Sequence, residues 1–170
     1  MSKTVIIIPS RLSAKRLPNK PLLKINGKSI ISLVYLKAVA CKIGRVIVAT
    51  EDKKISDEIK KYNGNVILTS KKHQSGTDRI WEAFKKLKDK NLKYVINLQG
   101  DEPTICPKDI MRLNKTVIKN KFDICTLASK LKSNKSLSNK NIVKVITSQK
   151  ISYINAVSYT HLTLPTIYSV

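Results

Sequence analysis

The sequence is poor in cysteine, in aromatic residues and in acidic residues, and it has no long apolar run. Its three cysteines, Cys41, Cys106 and Cys125, form no C-x-x-C pair, so buried, reduced thiols are expected rather than a metal or redox centre. No run approaches the roughly 18 apolar residues of a membrane span. The chain also enters its first apolar run without a charged leader and cleavage site. These absences predict a cytoplasmic location.

Acidic residues are outnumbered 11 to 33 by basic ones, which gives a net charge of +22. A basic nucleic-acid-binding module is therefore one alternative. However, most of the basic residues are lysines that are scattered along the chain, and aromatics make up only 5% of it, too few for a base-stacking platform. Lysine also shares AT-rich codons with the abundant Ile and Asn, so base composition explains most of the excess. No nucleic-acid partner is expected.

Apolar β-branched runs alternate with amphipathic segments along the 170 residues, a length that suits one domain with a sizeable core. This alternation predicts βαβ units and a mainly parallel α/β sheet. Strands are predicted over 5–8, 46–50, 66–68, 94–98, 124–128 and 143–147, and helices over 29–40, 52–62, from 77 onward and over 107–120. Ser29 is the predicted cap of the first helix. Residues 130–141 are predicted to form a flexible connection, Trp81 to lie in the core, and Asn26-Gly27 to form a turn.

Three cations follow the first predicted strand. Arg11, Arg16 and Lys20 lie in a loop directly after an apolar run that is typical of a strand buried on both faces. Ligands of open α/β sheets lie beyond the carboxyl ends of the strands, so this loop is a place to hold phosphates. It lacks the Lys-Ser/Thr ending of a P-loop and the G-x-G-x-x-G of a dinucleotide site, which argues against both.

Three segments resemble one enzyme family. The first reads S-R-x-x-x-x-R-L-P-x-K-P-L over residues 10–22, the second H-Q-S-G-T-D-R over 73–79, and the third V-I-N-L-Q-G-D-E-P over 95–103. In this order and spacing they resemble the sugar nucleotidyltransferases, and among these the cytidylyltransferases that activate 3-deoxy-manno-octulosonate (Kdo). The resemblance runs from about residue 4 to about residue 154.

The resemblance implies a doubly wound, Rossmann-like sheet of the nucleotide-diphospho-sugar transferase type. It implies transfer of CMP from CTP to Kdo with release of pyrophosphate, with Mg²⁺ as cofactor, for lipopolysaccharide biosynthesis. CTP and Kdo are then the partners, with no nucleic acid and no membrane, and full-length family members are expected to be homodimers. An 8-amino-Kdo analogue or a sialic acid as the acceptor sugar are the alternatives within this chemistry.

By resemblance, cations bind the triphosphate and one carboxylate holds the metal ion. The nucleotide contacts implied in the first motif are Pro9, Ser10, Arg11, Arg16 and Lys20. Asp101 is expected to hold Mg²⁺ together with phosphate oxygens, the usual way in which this ion is bound. Arg11, Lys20 and Asp101 are thus the predicted catalytic residues. The alternative for Arg11, Arg16 and Lys20 is that they are solvated surface cations without a ligand. The alternative for Asp101 is that it caps a helix or a turn.

The other two motifs are expected to contact the base and the sugar. Ser75, Gly76 and Thr77 open a helix, and the resemblance implies that they bind cytosine or ribose while Arg79 braces their loop; Thr77 is equally explicable as a helix N-cap. By resemblance, Gln99 and His73 are the predicted sugar-acid contacts, and Gln99 is also placed to hydrogen-bond the nucleotide. His73 is expected to be structural or substrate-facing rather than a general base. Gly100 is expected to permit a close backbone approach or an unusual turn.

The last residues do not resemble the family. Residues 1–156 are predicted to be an incomplete N-terminal nucleotidyltransferase domain, and residues 157–170 a non-family tail that reads like a translated sequencing adapter. All eleven carboxylates lie at or before Asp123, whereas the implied metal chemistry needs a further one. The chain is therefore expected to be an inactive fragment.

Overall fold

A computed structural model describes residues 2–13, 17–128 and 139, and the backbone of residues 166–169. The predicted strand over 143–147, the predicted connection over 130–141 apart from residue 139, and Arg16 lie outside these residues. The described elements are β1 (Thr4–Ser10), a short 3-10 helix (Lys20–Leu22), β2 (Lys24–Ile25), β3 (Lys28–Ser29), α1 (Ile30–Ala40), β4 (Arg45–Thr50), α2 (Lys53–Lys60), β5 (Asn65–Leu68), α3 (Gly76–Leu87), β6 (Tyr94–Asn97), α4 (Pro107–Asn120), β7 (Ile124–Thr126) and β8 (Thr166–Ser169).

The sheet has the strand order β5-β4-β1-β6-β8-β7. Strands β5, β4, β1 and β6 are parallel, and β8 is antiparallel to both β6 and β7. After β1 the chain first builds the sheet outward through β4 to β5, and then returns to add β6 on the other side of β1. The parallel part is therefore doubly wound, as predicted. The order in which the chain adds strands to the sheet reverses between β1 and β6.

Two apolar layers cover the two faces of the sheet. On one face Ile6 and Ile8 of β1 pack with α1, α2 and α4, and on the other Val5 and Ile7 pack with α3. All four of these β1 residues are fully buried. A strand covered on both faces needs a continuous apolar run rather than alternating apolar and polar residues. The sequence alone therefore indicated this strand.

Most predicted boundaries agree with the structure within two residues. Ser29 caps α1, as expected, since its side chain accepts a hydrogen bond from the Ser32 amide. The Asn26-Gly27 turn is confirmed: both residues have positive φ, 49° and 80°, and they connect β2 to β3 in an antiparallel hairpin. The hairpin strands themselves were not predicted, because two residues are too short to show a period.

The expectation that Trp81 lies in the core is wrong. The side of α3 that packs on the sheet is formed by Ile80 and Ala83, with Phe84 partly buried. Trp81 lies outside this side of the helix and is 52% exposed. Its ring stacks on Phe84 with the centroids 5.9 Å apart, and the Lys85 ammonium lies 5.4 Å from its centroid. An indole covered on one side by its own helix remains largely in water.

The cysteine expectation is correct for only part of the set. Cys41 is buried, Cys125 is intermediate, and Cys106 is exposed because it precedes α4 at the protein surface. None of the three forms a disulfide bond. Burial, with a smaller contribution from the neighbouring Cys106, raises the pKa of the Cys41 thiol to about 11. Within the described residues, no helix is long and apolar enough to cross a bilayer.

Candidate active site at the reversal of the sheet

A cavity of about 280 Å³ opens where the strand order reverses, beyond the carboxyl ends of β1 and β6. This is the position at which open α/β sheets bind ligands, because the two neighbouring loops separate there. Its lining residues come from the ends of both strands, from the 3-10 helix and from the start of α3. They are Pro9, Ser10, Arg11, Lys20, Pro21, His73, Ser75, Gly76, Arg79, Gln99, Gly100 and Asp101.

The structure brings most of the predicted site residues to this one cavity. From the three motifs, which lie far apart in the sequence, every candidate lines it except two. Arg16 lies outside the described residues, and Thr77 is exposed in the first turn of α3. Thr77 is not the helix cap either, because the Ser75 hydroxyl occupies that position and accepts a hydrogen bond from the Asp78 amide at 3.1 Å.

Lys20 and Asp101 form an ion pair across the mouth of the cavity. The Lys20 Nζ and Asp101 Oδ2 atoms are 2.5 Å apart, and the two side chains are 35% and 42% exposed. A pair this open to water contributes little to stability. Both charges can therefore exchange partners at small cost when a phosphate group or a cation enters.

Gly100 allows the loop after β6 to approach β1 closely. A Cβ atom at this position would lie 2.9 Å from the Pro9 carbonyl oxygen and 3.1 Å from Ile31 Cδ1. The close backbone approach expected of Gly100 is thus confirmed. It sets Gln99 and Asp101 beside the end of β1, and the Gln99 side-chain Nε2 donates a hydrogen bond to Asn97 Oδ1 at 3.0 Å.

Ser10, at the end of β1, has an unsatisfied hydroxyl. Among the described residues its Oγ is the buried side-chain polar atom without a hydrogen-bond partner. Buried polar groups are nearly always paired, so an orphan beside a cavity is a candidate contact for a bound ligand.

His73 is held by Glu82 of α3. The His73 Nε2 atom contacts a Glu82 carboxylate oxygen, which also accepts from the Ser70 amide at 2.9 Å, while Lys86 pairs with the other oxygen at 2.7 Å. The Lys86 ammonium, followed by the Ser70 amide and His73, lowers the pKa of Glu82 to about 2. Glu82 is therefore an anion that fixes the loop carrying His73.

Sequence reasoning missed Glu51 and Asp52, which directly follow β4. Glu51 pairs with the buried Arg79, and Asp52 Oδ2 accepts a hydrogen bond from the Leu12 amide at 2.8 Å. The available signal was their position, since two acids at the carboxyl end of a strand lie on the side of the sheet where ligands bind. Asp52 was interpreted only as the start of a helix.

The residues present fit a magnesium ion held partly by its substrate. Among the described residues, no group of three or more His, Cys, Asp or Glu side chains forms a complete metal site. Mg²⁺ is usually bound by one or two carboxylates together with phosphate oxygens, and Asp101 provides such a carboxylate next to the cations of the loop after β1.

Comparisons with known proteins agree with this geometry. Residues 5–167 match the family model described as cytidylyltransferase. The chain is 39% identical over 165 residues to a 3-deoxy-manno-octulosonate cytidylyltransferase of Rhodopseudomonas palustris (strain HaA2), covering 96% of this chain and 67% of that protein. It is 42% identical over 149 residues to the protein of the same name from Glaesserella parasuis serovar 5 (strain SH0165), covering 88% of this chain and 58% of that one.

A solved structure is similar over nearly the whole chain. The structure of CMP:2-keto-3-deoxy-manno-octonic acid synthetase complexed with CTP superposes with a TM-score of 0.83 at 30% identity, covering 99% of this chain and 74% of that one. The chain thus spans about two thirds of the length of the first Rhodopseudomonas relative. The foreign origin expected for residues 157–170 stays a prediction.

Proposed function

Because the chain belongs to the cytidylyltransferase family, we propose that it transfers CMP from CTP to Kdo and releases pyrophosphate. One observation carries the proposal. Arg11, Lys20, Gln99 and Asp101 all line one cavity, at the point where the strand order of the sheet reverses. The product would serve lipopolysaccharide biosynthesis, and three cysteines without a disulfide bond agree with a reducing, cytoplasmic location.

In this reaction the anomeric hydroxyl of the sugar attacks the α-phosphorus of CTP, and the bond to the β-phosphate oxygen breaks. Charge develops on the phosphate oxygens, so positioning and cations matter more than covalent catalysis. Arg11 can bind phosphate oxygens in a bidentate manner, whereas Lys20 supplies a compact point charge. Both line the cavity next to the end of β1.

Nucleotide binding requires Lys20 to change partners. In the structure its ammonium is neutralised by Asp101, and a triphosphate would compete for it. Asp101 would then be free to hold Mg²⁺, which when bound neutralises charge on the phosphate oxygens. The start of α3 offers free backbone amides at Gly76, and the Ser10 hydroxyl lacks a partner, so both are suited to the nucleoside end of CTP.

The test is CTP binding by titration calorimetry, with and without Mg²⁺, for the parent chain, Asp101→Asn and Asp123→Asn. Asp101→Asn should lose the Mg²⁺-dependent part of the affinity, at least about tenfold. Without Mg²⁺ it should bind CTP no more weakly than the parent, because it also frees Lys20. Asp123, an exposed carboxylate outside the cavity, is the matched control.

Three outcomes count against the proposal. If Asp101→Asn lowers the affinity for CTP equally with and without Mg²⁺, Asp101 has a structural role instead. No binding of CTP by a folded parent chain would refute the nucleotide site, and salt-sensitive DNA binding without preference for CTP would favour a nucleic-acid-binding module.

Pyrophosphate release with Kdo, its 8-amino analogue or a sialic acid tests the acceptor and the expected inactivity of this chain. Light scattering tests whether this chain forms the homodimer expected of full-length family members.

A further inference from the structure

Two consecutive acids at the end of β4 each hold a different wall of the cavity. Glu51 and Asp52 are partly buried, and neither lines the cavity itself. Their side chains contact segments that are distant in the sequence: Asp52 contacts the loop after β1, and Glu51 contacts the start of α3 through Arg79. Neither residue is assigned a role by the motifs of the sequence.

Asp52 holds the neck of the cation-bearing loop, which is the point where Leu12 and Asn19 meet. Its Oδ2 atom accepts the Leu12 amide at 2.8 Å, and the Leu12 carbonyl in turn accepts the Asn19 amide at 3.2 Å. These two bonds bring Asn19 next to Leu12 and tie both residues to the residue pair that follows β4. Arg11 precedes the neck and Lys20 follows it, so the neck sets where both cations enter the cavity.

The cap position of α2 does not account for this contact. Asp52 is the residue before α2, where aspartate is favoured because it accepts hydrogen bonds from the first helical amides. Its side chain makes no such bond and turns to Leu12 instead. The carboxylate therefore serves the loop after β1 rather than its own helix.

Glu51 holds the opposite wall through a buried arginine. Arg79 is only 2% exposed, pairs with Glu51, and donates to Thr69 Oγ1 at 2.5 Å and to the Ser70 carbonyl at 3.5 Å. Thr69 is itself attached to β4, because its amide donates to the Thr50 carbonyl at 2.9 Å. This network fixes both ends of the segment between β5 and α3, which carries His73 and Ser75.

We propose that Glu51 and Asp52 are positioning residues, with Asp52 orienting the triphosphate-binding cations and Glu51 orienting the nucleoside-binding segment. The inference rests on the proposed function for the identity of the ligand. Because both acids extend from one buried strand, the spacing between the two walls is set by rigid backbone. A nucleotide that bridges the walls then meets groups already in place.

The size of the effect follows from the population of the closed neck. Apparent affinity falls in proportion to the fraction of molecules in the binding-competent state. Loss of a hydrogen bond to a charged acceptor can reduce that fraction by about tenfold or more. Asp52 variants should therefore weaken ligands that carry the triphosphate, and Glu51 variants should weaken ligands that carry the nucleoside.

The experiment compares CTP with cytidine by calorimetry on the full 170-residue chain. Asp52→Ser keeps a residue type that is favoured at the cap position of α2 but is too short to reach Leu12, whereas Asp52→Asn keeps an oxygen at the right distance. We expect Asp52→Ser to weaken CTP at least about tenfold and cytidine less than about twofold, with Asp52→Asn close to the parent. Asp57→Ala, an exposed acid on α2, is the control for a lost charge.

The Glu51 wall needs two variants, because an unpaired buried Arg79 can destabilise the fold. Glu51→Gln leaves an acceptor for Arg79, and Thr69→Val removes one of its other bonds while keeping the side-chain shape. Both should weaken cytidine and CTP by a similar factor, because Glu51→Gln removes the charge that neutralises the buried Arg79 and Thr69→Val removes one of its hydrogen bonds. A CTP-only loss in these variants, or a loss in Asp52→Asn equal to that in Asp52→Ser, would overturn the assignment.

Amide hydrogen exchange separates this inference from the proposed function. Asp52→Ser should speed exchange of the Leu12 and Asn19 amides about tenfold with the rest of the sheet unchanged. If these amides exchange as in the parent, the neck is not held by Asp52, whatever the ligand. If they exchange faster but the folded parent binds no CTP, the positioning contact stands and the proposed function fails.

Discussion

Replacement of Gly100 by alanine is expected to destabilise the protein and to disturb the neighbouring Asp101, the carboxylate that we propose holds Mg²⁺. The added Cβ would lie 2.9 Å from the Pro9 carbonyl oxygen, 3.1 Å from Ile31 Cδ1 and 3.4 Å from Ile8 Cγ2. Pro9 belongs to β1, which is paired on both sides, and the two isoleucines are fully buried. None of these atoms can move away without disturbing the core.

The expected cost is that of an overpacked core. Inserting a methyl group into a close-packed site costs about 1–3 kcal/mol when the surroundings must shift. For a chain of this size that corresponds to about 2–4 °C in Tm for each kcal/mol. Any relief has to come from the loop after β6, so Asp101 is expected to move and CTP binding with Mg²⁺ to weaken as well.

Gly76 provides a matched control for the stability effect. A Cβ there would meet nothing closer than Pro9 Cγ at 3.5 Å, an ordinary contact, and the residue lies in the first turn of α3. Alanine is favoured over glycine in a helix by up to about 1 kcal/mol. Gly76→Ala should therefore leave the free energy of unfolding unchanged or raise it.

The assay is urea unfolding followed by far-UV circular dichroism for the parent and both variants. The unfolding midpoint should fall for Gly100→Ala at an unchanged m-value and should not fall for Gly76→Ala. If Gly100→Ala unfolds at the parent's midpoint, the loop after β6 is not packed against β1 as closely as described. The structural reason for a glycine at this position would then be refuted.

Further predictions concern acid titration, thiol reactivity and fluorescence. Because the Lys86 ammonium and two further donors lower the pKa of Glu82 to about 2, its stabilising contribution is present above about 4.5 and is lost as the pH falls toward 2. NMR titration of the Glu82 carboxyl carbon should show this low midpoint, and a midpoint near 4.5 would contradict it. In the native protein a thiol reagent should label the exposed Cys106 much faster than Cys41, whose raised pKa and burial disfavour the thiolate; equal rates would show that Cys41 is accessible. Trp81, the single tryptophan, should show the red-shifted emission and strong iodide quenching of an indole in water, and a blue-shifted, protected emission would place it back in the core.

Much of the doubly wound sheet could be predicted because its signals are local. A strand buried on both faces must be apolar throughout, so β1 and β4 were evident as runs, and their ends agreed with the structure to within two residues. The helices could be located for a similar reason, from apolar residues at helical spacing and from caps such as Ser29. The motif residues were assigned to one site by resemblance, and they line one cavity because the carboxyl ends of parallel strands share an edge.

Errors arose where a side chain's surroundings depended on a second segment. The period of α3 does not reveal which part of its arc meets the sheet, and Trp81 consequently faces water. Thr77 was a plausible cap until the backbone placed Ser75 there. The pairing of β8 between β6 and β7 joins residues 124–126 to residues 166–169, and a four-residue strand carries no period strong enough to predict that register.

The sequence by itself determined the class of the fold, the order of its main helices and parallel strands, and the three motifs that converge on the site. Each of these is written in neighbouring residues, through side-chain shape and hydrophobic period. The tertiary structure decided what holds the site together. The Asp52–Leu12 contact joins residues 40 positions apart and the Glu51–Arg79 pair joins residues 28 apart. Such pairs form only once β1, β4 and α3 are packed side by side, because packing alone determines which distant polar groups come within hydrogen-bond distance.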